Sequence, residues 1–245
     1  MSKYWIATIG LFAATMAGCT PLEPLERTPA PLPQPEPSAA KAAAEAKEAE
    51  SVMHATTLQQ LQSQTMTGSN SVRYLSSGLV EVGSIDAPAT LTLFTEYHCS
   101  YCQEFHQDYL PRLREDFIDQ GLLRLQIAIH PLTKYPHSSV AAKGLLCAGQ
   151  MSKALSMHNL LMTRDKKDVG SVYAYAKELE LDREAFSSCL ESDEVQALLN
   201  QHRTIADQLE VTLVPTFFLN GEKQVGLPVY PDLRGWIRSK VTSNK

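Results

Sequence analysis

Two cysteines, Cys99 and Cys102 in "HCSYCQEFH", sit where one hydrophobic pattern ends and another begins. Upstream, Ala89 to Tyr97 reads as a strand that runs directly into the pair. Downstream, Cys102, Phe105, Tyr109, Leu113 and Phe117 fall three, four, four and four apart, the step of one buried helix face, with Pro111 set to kink it. Any fold for this chain must place the pair at a strand-to-helix junction. That placement also restricts the chemistry. Backbone N–H groups and the positive dipole end at a helix N-terminus favour an anion, so Cys99 is read as the attacking sulfur with a lowered pKa. Cys102, one turn later and facing inward, is read as the resolving thiol that attacks Cys99 to break a mixed disulfide.

The remaining pattern is α/β. A strand-like segment from Val72 to Val82 precedes the turn "GSIDAP", and "LLRLQIAIHP" from Leu122 to Pro131 reads as a buried strand. Residues 138–209 are helical in pattern, in three candidate elements. Then "VPTFFLNG" and "EKQVGL" form a hairpin at Asn220-Gly221, and a helix from about Pro231 to Val241 closes the chain.

The N-terminus has a separate organisation. Lys3, an apolar run from Trp5 to Met16 too short to span a bilayer, and the small residues Ala17 and Gly18 read as an export signal over residues 1–18. Met16-Ala17-Gly18-Cys19 resembles the bacterial lipoprotein box, which implies that Cys19 is lipidated and tethers the chain to a membrane. Thr20 resembles the pattern of lipoproteins sent to the outer membrane, which in a Gram-negative host puts the protein on its periplasmic side. Residues 19–37 contain seven prolines and form a semi-rigid tether. Residues 38–68, rich in Ala, Glu and Gln, are read as a solvated helical spacer in preference to an oligomerising helix. With 245 residues, 44% of them hydrophobic, the chain suits one globular domain over residues 69–245 plus these extensions. A net charge of -5, without any cluster of Lys and Arg interleaved with aromatics, excludes nucleic acid as a partner.

With Cys19 lipidated, four cysteines remain and three pairings are formally open. Proximity favours Cys99 with Cys102, which leaves Cys147 with Cys189 as a structural disulfide whose loop closure is worth about 4 kcal/mol. A second redox pair that relays electrons is the alternative. His98, Cys99, Cys102 and His106 are four side chains of the kinds that bind zinc or copper, but two ligands four apart on a helix do not secure a tetrahedral set, so no metal is assigned. Haem attachment is excluded because Gln103 follows the second cysteine. His54, His130, His137, His158 and His202 carry no partner pattern and are read as structural or surface residues.

Residues 72–241 resemble the DsbA-like branch of thioredoxin-fold thiol-disulfide oxidoreductases. The resemblance is carried by "APATLTLFTEYHCSYC", by the helical block between the strands near Ile127 and Phe217, and by "VPTFFLNG". It implies a thioredoxin fold with a helical subdomain inserted at about 138–209, and a cis Val214-Pro215 bond facing the cysteines. Pro215 withholds an N–H there, leaving the backbone of Val214 to pair with an extended substrate peptide. The implied activity is disulfide exchange with exported proteins that carry cysteine thiols or disulfides, with the oxidase direction favoured. No cofactor is required, and a membrane redox partner recharges the enzyme.

Two departures from the family pattern bear on the direction of electron flow. Ser100-Tyr101 stands where such oxidases commonly carry Pro-His, which implies a less oxidising poise tuned by these two residues. Leu93 stands where many thioredoxin-fold members bury an acid. Glu96 is a substitute candidate as proton acceptor for Cys102, although strand alternation turns it to the other face from Leu93. The alternatives are a disulfide isomerase or reductase, or a metal- or peptide-binding module whose disulfide is structural.

Overall fold

The computed structural model describes residues 37–59, 66–67 and 72–243, so the export signal, Cys19 and nearly all of the proline tether lie outside the described residues. Strands β1 (Met66–Thr67), β2 (Val72–Leu75), β3 (Val80–Val82), β4 (Ala89–Thr95), β5 (Leu123–Ile129), β6 (Thr216–Leu219) and β7 (Glu222–Val225) form one sheet. Its order is β1-β2-β3-β5-β4-β6-β7. Only the central β4–β5 pair among these is parallel, in the register Leu93↔Ile127, and all other neighbours are antiparallel. A parallel pair needs a helical crossover, and here the crossover starts with the two cysteines.

The segment from Val72 to Val82, read as one strand, is a hairpin. Gly78 reverses it at a φ of +86°, and a Cβ there would press within 2.8 Å of the Leu146 side chain and 2.9 Å of the His202 ring. Only glycine meets both demands.

The crossover begins with α2 (Ser100–Glu104), widens into a π turn (Phe105–Tyr109), narrows in α3 (Leu110–Leu113) and widens again (Arg114–Ile118). The π turn inserts one residue ahead of Pro111, which has no N–H to give. The buried stripe therefore shifts phase: Leu110 is buried where the regular step called for Tyr109, and Tyr109 is half-buried.

The helical block holds five helices in place of three: α4 (Ser138–Gln150), α5 (Ala154–Thr163), α6 (Val169–Glu178), α7 (Arg183–Glu191) and α8 (Asp193–Gln208). Ser152, at a φ of 62°, breaks the first element. Ser192 caps α8 by accepting from the Val195 N–H at 3.2 Å, and so splits the last. A disulfide between Cys147 and Cys189 joins α4 to α7.

Alternation along β4 and β6 divides the core. Leu91, Leu93, Phe217 and Leu219 pack with Cys102, Phe105, Leu113 and α4 on one face, while Phe94, Phe218 and Leu79 meet Ile205 of α8 and Leu209 just past its end on the other. Truncating either Phe217 or Phe218 to Ala would cost about 3–5 kcal/mol. Helix α9 (Tyr230–Ser243) buries Leu233 and Ile237 in the first cluster.

Helix α1 (Pro37–Gln59) corrects the reading of a solvated spacer. Residues 40–50 are exposed, but Leu58 joins the second core cluster, and His54 stacks edge-on against Phe218 at 5.2 Å and approaches the Gly221 carbonyl at 3.1 Å. The phase set by Ala42, Ala46, Ala49 and Met53 is not the docked one. Met53 is exposed, and the buried positions are His54 and Leu58.

Candidate active site

Leaving β4, the chain passes through Glu96, Tyr97 and His98 to Cys99, the N-cap residue of α2, whose φ of -80° and ψ of 118° are still extended. The Cys99 carbonyl accepts the Gln103 N–H at 3.0 Å, so the helix is already engaged while the Cys99 side chain stays beside its free N–H groups. Cys99 is 8% exposed and Cys102 is 1% exposed. Between them Ser100 and Tyr101 project outward. Tyr101 is 62% exposed.

The second wall comes from a segment more than one hundred residues away. The Cys99 thiol donates to the Val214 carbonyl at 3.4 Å, and the Val214-Pro215 bond is cis. The Thr216 hydroxyl donates to the Leu213 carbonyl at 2.7 Å, closing the turn that presents Val214. Cys99, Cys102, Val214 and Pro215 thus form one site, with exposed Leu213 and Tyr101 at its edge.

The two sulfurs are electrostatically unlike. A hydrogen bond from Cys102, helped by the backbone N–H groups of Cys102 and Tyr101, brings the Cys99 thiol down to about 6, against burial and the charge of Glu96. Burial pushes Cys102 far above the ordinary thiol range and its hydrogen bond with Cys99 adds to this, with Thr95 opposing. Once Cys99 ionises, the one proton left to the pair is held on the inner sulfur.

Glu96 takes the face opposite Leu93. Its carboxylate accepts from the His98 N–H, meets His98 Nδ1 at 2.9 Å and accepts from the Ser138 hydroxyl at 2.7 Å. Those hydrogen bonds go to His98 and Ser138 in place of Cys102, which corrects the reading of Glu96 as proton acceptor for that thiol. The His98 ring also stacks on Tyr135 at 5.1 Å. His106 packs edge-on against His158 at 5.2 Å, and His158 meets the Tyr97 hydroxyl at 3.2 Å. Burial holds His158 at about 3, so it is neutral at ordinary pH. The two histidines flanking the cysteines are therefore taken up by separate partners. Among the described residues, no three His, Cys, Asp or Glu side chains converge as metal ligands.

Sequence reasoning passed over Ser138 and Tyr135 and read His158 only as a structural or surface residue. All three reach the site from the segment after β5, and nothing in their local pattern marks them.

A low-pKa cysteine capping a helix, a buried partner one turn on, and a proline turn facing both from a distant strand define a dithiol protein of the thioredoxin class. The family model described as Thioredoxin matches residues 76–239, and the chain belongs to that family. It is 29% identical over 146 residues to the Na(+)/H(+) antiporter NhaA 3 of Salinispora tropica, an alignment covering 59% of this chain and 22% of that protein. The chain therefore spans about a fifth of the antiporters it matches. Against the probable disulfide bond formation protein D of Bacillus cereus it is 25% identical over 149 residues, 57% of this chain and 69% of that one. Among solved structures, oxidised BdbD from Bacillus subtilis superposes with a TM-score of 0.60 at 19% identity, covering 66% of this chain and 92% of that chain. The thiol-disulfide exchange protein alpha-DsbA2 from Wolbachia pipientis does so with 0.60 at 16%, covering 78% and 97%. At these identities the structures establish the fold: thioredoxin with inserted helices, in its DsbA-like form.

Proposed function

We propose that this chain is an extracytoplasmic thiol-disulfide oxidoreductase working through Cys99 and Cys102, with the oxidase direction favoured. The observation that carries the reading is the asymmetry of the pair: Cys99 lies near the surface with its pKa brought to about 6, while Cys102 is sealed beneath it and pushed up. A sulfur that ionises readily is both the better leaving group and the more stable product of reduction. In the oxidising cycle a substrate thiolate attacks Cys99 Sγ, the Cys99–Cys102 bond breaks, and Cys102 takes the electron pair and a proton. A second substrate thiolate then attacks the substrate sulfur of the mixed disulfide and Cys99 leaves as thiolate. The substrate gains a disulfide and the enzyme is reduced by two electrons.

Val214 is the backbone contact for an extended substrate segment, since Pro215 has no N–H and the Val214 carbonyl already lies against Cys99. The likeness to a disulfide bond formation protein supports exported, cysteine-bearing proteins as substrates. The lipoprotein-like box supports anchoring of the enzyme to a membrane through Cys19, with residues 19–37 as tether, and with it a membrane redox partner that restores the disulfide. No helix among the described residues is long and apolar enough to cross a membrane.

The test is a reduced, unfolded substrate protein given to the oxidised chain and to its Cys99→Ala and Cys102→Ala variants. Wild type should introduce disulfides and Cys99→Ala should be inert, while Cys102→Ala, given the same substrate in its disulfide form, should accumulate mixed disulfides through Cys99 as the other substrate sulfur leaves as a thiol. Full activity in both variants would overturn the assignment. Titration of the Cys99–Cys102 pair against a glutathione series sets the direction: an easily reduced disulfide marks an oxidase or isomerase, a resistant one a reductase.

A further inference from the structure

Glu96 has no exposed surface, yet it lies three residues before the nucleophile and is bonded to it, since the Cys99 N–H donates to the Glu96 carbonyl at 3.3 Å. Its carboxylate meets His98 twice and Ser138 once. Ser138 is the first residue of α4, and its hydroxyl also accepts the Leu132 N–H at 3.0 Å. The carboxylate thus clamps the turn that carries Cys99 to the start of the inserted helices. A neutral amide of the same shape could hold much of this network, so the charge itself calls for a use. Four charged or titratable side chains face it besides the cysteines, the first being Tyr97, whose phenol is held neutral chiefly by burial. His98 bonds to it directly, His130 is driven toward its neutral form by burial, and Lys167 directs its ammonium to the carbonyls of Arg164 and Asp165. With the Tyr97 phenol held neutral, the negative field is left to act on the neighbouring group that ionises near neutral pH, which is Cys99.

We propose that Glu96 sets the redox poise of the Cys99–Cys102 pair, its buried charge opposing the Cys99 thiolate and making the disulfide harder to reduce than the helix N-terminus alone would. This rests on the thiol-disulfide reading above. Two glutathione molecules reduce the disulfide to a Cys99 thiolate and a Cys102 thiol, and are themselves joined as glutathione disulfide. Whatever destabilises the thiolate returns that equilibrium toward the protein disulfide. The charge of Glu96 does act to raise the Cys99 pKa, against the hydrogen bonds that lower it. Glu96 is a positioning and tuning residue, and no substrate atom need touch it.

The experiment compares wild type, Glu96→Gln and Ser138→Ala by two readouts: the Cys99 pKa, from the ultraviolet absorbance of its thiolate, and the glutathione equilibrium. Glu96→Gln should lower the Cys99 pKa and shift the equilibrium toward the reduced protein by about fivefold to tenfold, one pKa unit being tenfold. Ser138→Ala keeps the carboxylate and removes one donor, so its Cys99 pKa should hold or rise. An unchanged or raised pKa in Glu96→Gln overturns the proposal. If that variant does not fold, a lowered pKa in Ser138→Ala overturns it. A wild-type disulfide that never equilibrates with glutathione would overturn the redox reading instead, and the pKa titration distinguishes the two because it needs no exchange.

Discussion

The chain carries two cysteine pairs of the same chemistry in opposite electrostatic settings. Cys99 caps the N-terminus of α2, where backbone N–H groups face the sulfur, whereas Cys147 and Cys189 lie in the last turns of α4 and α7, where the carbonyl ends point. A thiolate is favoured at the first position and opposed at the other two. The pair joined across α4 and α7, with Cα atoms 5.8 Å apart and a sequence separation of 42, releases poor leaving groups and closes a long loop. The Cys99–Cys102 pair closes almost no loop and releases a good one. Helix position, more than cysteine spacing, separates the sulfur pair suited to exchange from the pair suited to bracing.

Removing one member of each pair gives the largest contrast. Cys99→Ser should reduce disulfide exchange to the uncatalysed background while leaving the fold intact. The Cys147→Ala/Cys189→Ala double variant should retain exchange but lose about 4 kcal/mol of stability in denaturant unfolding, the loop-closure value for a loop of this size. Loss of exchange in a double variant that remains folded would break the comparison and make the second pair a relay.

Next in size is the pH dependence of the reduced protein. Alkylation of Cys99 should rise through a midpoint near pH 6, far below an ordinary thiol. The same shift links to stability. A group whose folded pKa lies below its unfolded value contributes stability that is fully present above the unfolded pKa and lost as pH falls through the folded one. Reduced protein should therefore gain stability relative to oxidised protein as pH rises from about 6 toward the unfolded thiol range, as read by paired denaturation midpoints. A difference that is flat with pH would put Cys99 back among ordinary thiols.

How far these features could be read without coordinates depends on whether their cause is local. The strand-to-helix junction, the inward Cys102 and the Asn220-Gly221 hairpin follow from nearest-neighbour patterning, and the described structure has each of them. The phase slip at Tyr109 and Leu110 was not legible, because a π turn leaves the composition of a helix unchanged and only shifts which residue faces inward. Docking of α1 was hidden for a different reason. His54 and Leu58 are chosen by Phe218 and Gly221, residues far along the chain. Glu96 was visible as an acid near the cysteines, but its partner Ser138 arrives from another element, so the network that fixes its direction was out of reach.

The smallest effect belongs to the two residues between the sulfurs. Ser100 and Tyr101 stand in the position where the resemblance put redox tuning, yet both side chains point to solvent, and Tyr101 reaches Cys99 through its backbone N–H, which any residue but proline supplies. Tyr101→His adds an imidazolium at the helix N-terminus that helps the thiolate only while protonated and only through screened water. An exposed charge of this kind is worth at most about 1 kcal/mol, so the glutathione equilibrium should move toward reduction by about fivefold or less at pH 6. By pH 8 the shift should vanish, as the imidazole loses its proton. If Tyr101→His instead moved the equilibrium further than Glu96→Gln, and at both pH values, the poise would reside in the exposed pair and the buried carboxylate would be left with bracing alone.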